Sequence, residues 1–169
     1  MAAKILYYQN LLDNANIQAY LQTIRKGEGN LGVDGYNTLV GGEKFYDFSH
    51  HPHIYKAKFN STAAGAYQFL YSTWKKDSKQ LQLPDFSPNN QDIAALYEIN
   101  KAGAVNDILA GDIVSAINKT NKIWVSLPGA KHDAVNKYSQ RLAGALAFYQ
   151  KRGGGLNQDE QKIINSSSE

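Results

Sequence analysis

Residues 14–29 read NANIQAYLQTIRKGEG, and the fold turns on how that stretch is read. Ile17, Tyr20, Leu21 and Ile24 recur at helical spacing, so one face of the segment is apolar. Asp13 or Asn14 offers a side-chain oxygen to the first free N–H groups. Gly27 and Gly29 stop the helix at its other end. Glu28 stands between those glycines, four residues past Ile24 and seven past Leu21. If the helix runs that far, its carboxyl extends the buried face. A helix C-terminus is also poor ground for negative charge. Both effects push a carboxyl pKa upward, which a general acid near neutral pH requires. The same residues equally fit a solvated glutamate in a Gly-Glu-Gly turn.

Before this helix, residues 1–12 read as an extra helical turn or two, or as a mobile arm. After it, residues 30–60 change character. Glycines recur at 32, 35, 41 and 42, and aromatics at 36, 45, 46, 48, 55 and 59. Leu39-Val40 and Lys44-Phe45 flank Gly41-Gly42, which suggests a short hairpin or looped β-region. Tyr67, Leu70, Tyr71, Trp74 and Leu81 form a helical stripe, so a helix is expected over 64–81, capped by Ser61 or Thr62. Ser87-Pro88 starts another, with Ile93, Leu96 and Tyr97 on it. A short helix over 101–109 and one after Gly111 follow, then a turn at Leu127-Pro128-Gly129. The last helix carries Val135, Tyr138, Leu142, Ala145 and Tyr149 on one face. Gly153-Gly154-Gly155 ends it, and the serine-rich tail reads as frayed. The fold class is α+β, mainly α, with a helical lobe and a small looped β lobe flanking a cleft.

The segment Ser61-Thr62-Ala63-Ala64-Gly65-Ala66-Tyr67-Gln68 is a second candidate site. Small residues let a ligand approach the backbone, and Tyr67 and Gln68 offer a ring and an amide that suit a sugar. It also fits a capped helix start packed on a neighbour. His50, His51 and His53 cluster around Pro52, but a loop is the better reading and no metal is expected. Asp34, Glu43 and Asp47 are possible second carboxylates, with loop-bracing as their default role.

The chain has 169 residues and no cysteine, so disulfides, thiolate metal sites and a cysteine nucleophile are excluded. Hydrophobic residues make up 43%, and no apolar run reaches a membrane span of roughly 18 residues. Ile5 to Tyr8 is too short for a secretory core, so synthesis in the cytoplasm without an export signal is expected. The formal charge is +3, with scattered lysines, which does not make a nucleic-acid face. No phosphate loop, Ser-His-Asp signature or HExxH motif occurs.

Taken in order, these pieces resemble the phage lambda-type lysozyme family, lytic transglycosylases on a lysozyme-like fold. The resemblance rests on Glu28-Gly29, then Gly35-Tyr36 through Gly41-Gly42-Glu43, Phe45-Tyr46-Asp47-Phe48-Ser49 and His51-Pro52. It continues through Ser61 to Gln68, Asp85-Phe86-Ser87-Pro88 with Gln91-Asp92, Gly111-Asp112-Ile113, and Ile123-Trp124 to Gly129-Ala130. It covers roughly residues 14–150. It implies one catalytic domain over 1–152, with 1–13 an N-terminal extension, 30–60 the looped lobe and 153–169 a flexible tail.

The resemblance also implies that Glu28 is the catalytic acid. Tyr36 would lie on the lower lip of the cleft, and Ser61, Thr62, Ala64, Gly65, Tyr67 and Gln68 on its wall. The implied substrate is the peptidoglycan glycan strand, cut without metal or cofactor by a monomer with no stable membrane anchor. The implied setting is a phage or prophage endolysin acting on the wall in the periplasm or outside the cell. Three departures stand out. His50 replaces an Asp, Ala66 an Arg, and Lys131-His132-Asp133 a Gly-Tyr-Gly type loop, leaving His132 as the candidate for that loop's sugar contact. A hydrolytic muramidase using Asp34 or Asp47, or a non-catalytic peptidoglycan-binding module, are the alternatives. Lys137, Arg141, Lys151 and Arg152 on the last helix read as a solvated basic face, with anionic lipid or wall polymer as the other reading.

Overall fold

The computed structural model describes residues 2–130 and 138–167. His132, Val135 and Lys137 lie outside the described residues. The described chain is mainly helical: α1 (Ala2–Leu11), α2 (Ala15–Gly27), α3 (Tyr71–Leu81), α4 (Pro88–Lys101), α5 (Val105–Leu109), α6 (Ile113–Thr120), α7 (Tyr138–Lys151) and α8 (Gln158–Ser167).

Helix α2 is the axis of the helical lobe. Asn14 Oδ1 caps it by accepting the N–H of Ile17 at 3.1 Å. Ile17, Tyr20, Leu21 and Ile24 are all 0% exposed, as the spacing expects. Burying each such side chain contributes at most roughly 1.5–3 kcal/mol. The helix packs on α5 and α7. Polar ties add register. The Tyr20 hydroxyl pairs with Thr120 Oγ1 at 2.6 Å, and Asn16 Nδ2 donates to the Ile108 carbonyl at 3.0 Å. Asn16 Oδ1 accepts the N–H of Gly155 at 2.8 Å, pinning the end of α7 to the start of α2.

The looped lobe spans the stretch between α2 and α3. Its pairing consists of isolated antiparallel bridges, Thr38 with Lys44, Leu39 with Ala64, Lys56 with Ser61, and Ala64 with Phe69. Gly41 and Gly42 turn the short hairpin at φ +92° and +104°, a region open to glycine. Two 3₁₀ turns, Val33–Asn37 and Ala57–Phe59, complete the lobe.

Two expectations need correction. The helix expected over 64–81 begins only at Tyr71. Gly65 and Gln68 take φ +84° and +52°, so the chain folds back and Ala64 pairs with Phe69. Thr62 still caps the helix, but across the turn: its Oγ1 accepts the N–H of Tyr71 at 3.0 Å. The tail expected to fray also contains α8, packed on α7. Its Glu160 is 3% exposed and accepts backbone N–H groups at the start of α6. At the other terminus α1 is a ten-residue helix lying on α4, with Tyr8 1% exposed. Among the described residues no helix is long and apolar enough to cross a membrane.

Candidate active site

Glu28 is the C-cap of α2, with helical backbone angles and its N–H on the Ile24 carbonyl at 3.0 Å. Gly29 then takes φ +78°, and the N–H of Asn30 returns to the Arg25 carbonyl at 2.8 Å. This closure ends the helix and leaves the Glu28 side chain half-buried. Burial raises its carboxyl pKa above the ordinary value. The neighbouring Ser126 hydroxyl pulls the other way, although its buried Oγ closes no hydrogen bond of normal geometry. No ion pair reaches Glu28 among the described residues, so no cation there opposes the effect of burial.

Gly27 has a second use beyond ending the helix. A Cβ there would lie 2.8 Å from Ser126 Oγ and 3.3 Å from its Cβ, so a side chain at 27 would force the Ser126 hydroxyl beside the acid to shift. Arg141 holds that loop by donating to the Ser126 carbonyl at 2.6 Å. A cavity of 310 Å³ bordered by Thr23, Gly27, Ser126 and Phe148 opens beside it.

The 61–68 segment folds back on itself, with Ser61 paired to Lys56 and Ala64 to Leu39 and Phe69. Ser61, Thr62 and Gln68 keep partly exposed side chains, as does Tyr36 on the Val33–Asn37 turn. Gln68 Nε2 donates to the Gly65 carbonyl at 2.9 Å and to the Thr38 carbonyl at 3.2 Å. Ala64, Gly65 and Tyr67 are buried, with Tyr67 1% exposed. They therefore offer no open side-chain surface to a ligand. The position of His132 lies outside the described residues.

Residues absent from the expected site tie it together. The Asp92 Oδ1 on α4 accepts the hydroxyls of Tyr67 at 2.6 Å and Tyr36 at 2.9 Å. Arg25 donates to the Tyr67 hydroxyl at 3.0 Å. Ala66, where the resemblance calls for an arginine, is 0% exposed. Gln91-Asp92 was visible as a motif, but its contacts at Tyr36 and Tyr67 had no local signal.

The other carboxylates stay at the loop surface. Glu43 pairs with Lys56 at 2.5 Å. The Ser49 hydroxyl, and then the Ser49 N–H donating at 2.8 Å, keep the Asp47 carboxyl below the usual range, and Asp47 lies 3.7 Å from His50. Asp34 is exposed. His51 is 2% exposed, and both ring nitrogens meet backbone: Nε2 at the Phe69 carbonyl, 2.8 Å, and Nδ1 at the N–H of His53, 3.0 Å. His53 stacks on Tyr71 with 3.5 Å between ring centres. Among the described residues no group of three His, Cys, Asp or Glu side chains is placed to hold a metal.

The Endolysin family profile matches residues 18–156. The endolysin of Escherichia phage lambda is 40% identical, over 73% of this chain and 78% of its own length. That of Escherichia phage P2 is 44% identical, over 68% and 81%. Among solved structures, lysozyme from bacteriophage lambda superposes with a TM-score of 0.77 at 36% identity, covering 85% of this chain and 97% of that one. The same lysozyme complexed with a chitohexasaccharide superposes with a TM-score of 0.75 at 37% identity and the same coverage. The chain therefore belongs to the Endolysin family and has the fold of phage lambda lysozyme.

Proposed function

We propose that this protein is a peptidoglycan lytic transglycosylase with Glu28 as its one catalytic acid and base. The observation that carries the proposal is the Glu28 carboxyl itself: half-buried at the end of α2, raised in pKa by desolvation, and without a cationic partner among the described residues. Desolvation of this kind favours the protonated carboxyl, the form in which a general acid works. The glycan substrate is supported by the relative solved with a chitohexasaccharide.

In the proposed reaction, protonated Glu28 donates to the glycosidic oxygen linking N-acetylmuramic acid to N-acetylglucosamine. The C1–O4 bond breaks through an oxocarbenium-like state, which the substrate's own N-acetyl group stabilises. The Glu28 carboxylate then takes the proton from the C6 hydroxyl of the same muramic acid. O6 attacks C1 and closes a 1,6-anhydro ring. An internal nucleophile gains over water by proximity, so no second carboxylate and no metal is needed. Tyr36, Ser61, Thr62 and Gln68 line the glycan path, with Ala64, Gly65 and Tyr67 behind them. The protein acts as a monomeric phage or prophage endolysin on the cell wall, reaching it through a pore made by another protein.

Mass spectrometry of peptidoglycan digested with the wild-type protein and with Glu28→Gln tests this. Anhydro-muropeptides from the wild type alone support the proposal. Reducing-end muropeptides would replace it with a hydrolytic muramidase. Undigested wall with folded wild-type protein would leave a binding module.

A further inference from the structure

Arg25, Tyr36, Tyr67 and Asp92 come from α2, the Val33–Asn37 turn, the 61–68 wall and α4, and their side chains meet at one point. Asp92 Oδ1 is the hub, accepting Tyr67 at 2.6 Å and Tyr36 at 2.9 Å. Arg25 stands 3.9 Å from the same oxygen, and its guanidinium lies 5.4 Å from the Tyr36 ring centre and 5.9 Å from that of Tyr67. The side chains of Arg25 and Asp92 are only 11% and 16% exposed, so each charge depends on the other.

The hub joins segments that lead to the candidate acid. Arg25 is on the last turn of the helix that ends at Glu28. The Tyr67 carbonyl accepts the indole N–H of Trp124 at 3.1 Å, two residues before Ser126 beside Glu28. Tyr36 is the half-exposed member, and its hydroxyl is held while its ring remains partly open. Core packing alone does not require this arrangement. A desolvated ion pair is a poor source of stability compared with apolar residues of the same volume. Its gain lies in fixing a binding surface before the ligand arrives, which removes an ordering cost from association.

We infer that Asp92, with Arg25, is a positioning residue for glycan binding: it fixes the Tyr36 lip against the Tyr67 wall so that the sugar-binding face is preformed. The inference rests on the glycan reading above. Its test separates the two. Glu28→Gln removes turnover, and this variant is titrated with chitohexaose, alone and with Tyr36→Phe or Asp92→Asn added. Phe keeps the ring and deletes only the tied hydroxyl. Asn keeps the shape and an acceptor oxygen but removes the charge opposite Arg25. Each is expected to weaken Kd about tenfold, roughly 1.4 kcal/mol. The pair together should be little worse than either, because both break one unit. Tyr149→Phe is the control. Its hydroxyl donates to the Gly155 carbonyl at 3.0 Å away from the site, so it should lose stability without changing Kd.

Tyr36→Phe binding as tightly as its parent would overturn the inference. So would weakening by Tyr36→Phe with none by a folded Asp92→Asn, since the hydroxyl would then serve the sugar directly. A parent that binds no chitohexaose would overturn the glycan reading and this one together.

Discussion

The Glu160 carboxylate accepts the backbone N–H of Val114 at 2.6 Å, and its other oxygen takes that of Ile113 at 2.8 Å. Asp112, the residue at the N-cap of α6, makes no side-chain cap bond, so the cap comes from α8, far along the chain. The helix dipole favours a carboxylate there, and both orphan donors are satisfied. Glu160→Ala should cost about 2 kcal/mol in urea unfolding. Glu160→Gln keeps one acceptor and should lose less. An unchanged midpoint for the alanine variant would show that α8 does not brace α6.

Gly65→Ala should be worse than its one methyl suggests. A Cβ at Gly65 would lie 2.3 Å from Gln91 Oε1 and 2.9 Å from Phe86, at φ +84°. Gln91 has no room to give. It is 0% exposed, its Oε1 accepts the N–H of Ala66 at 2.9 Å, and its Nε2 donates to the carbonyls of Phe86 at 2.8 Å and Tyr36 at 3.0 Å. The expected loss is about 3 kcal/mol. Gly42→Ala is the contrast, because its Cβ would meet nothing within 4 Å at φ +104°. Backbone strain alone gives about 1 kcal/mol. Equal losses in parallel denaturant titrations would rule out the Gln91 clash.

The parts of the fold that a local pattern specifies were readable. The Ile17, Tyr20, Leu21, Ile24 stripe and the Asn14 cap define α2 without help from elsewhere, and Ser87-Pro88 does the same for α4. The run from Ala63 to Tyr67 is apolar enough for a helix, but Gly65 and Gln68 sit in the left-handed region and only tertiary pairing reveals that. Helix α8 was hidden for a similar reason. Its polar, serine-rich composition says coil, while the buried Glu160 docks it. In the candidate site, the helical spacing left Glu28 open between a buried acid and a solvated turn residue, and the ordered motifs of the resemblance singled it out. Asp92 was not, since nothing near it in the chain announces two tyrosines and an arginine from three other segments.

Asp77 gives the protein a pH-dependent stability unrelated to the cleft. It is 0% exposed in α3, 3.5 Å from Lys101, which pairs more closely with Glu98 at 2.9 Å. Burial, then Glu98, pushes its pKa up to about 8. The unfolded chain releases that proton near pH ~4, so the folded state holds it more tightly. Stability from this group is present at low pH and is lost as pH rises from about 4 toward 8. Glu98 shifts downward, so its opposite contribution falls below its ordinary carboxyl range and leaves this window to Asp77. Unfolding free energies at pH 5 and pH 8.5 should show the wild type losing stability and Asp77→Asn losing less. Equal slopes in the two proteins would refute the assignment.

The Glu28 carboxyl sets activity against stability by the same sign rule. Its folded pKa is raised by desolvation, so its ionisation opposes folding as pH climbs above the ordinary carboxyl range. Glu28→Gln removes that charge. The variant should melt at or above the wild-type temperature at pH 7, with the difference closing toward pH 4, while losing about 10²-fold or more in activity. A general acid works protonated, so kcat/KM should fall as pH rises through the Glu28 pKa of the free enzyme. Ser126 opposes the upward shift, and Ser126→Ala should therefore move that alkaline limb to higher pH. A limb that stays put or moves down would remove Ser126 from the acid's environment. A Glu28→Gln protein that melts below the wild type at pH 7 would mean that the carboxylate makes a stabilising contact, and a contact of that kind would hold the acid ionised when it needs to give up a proton.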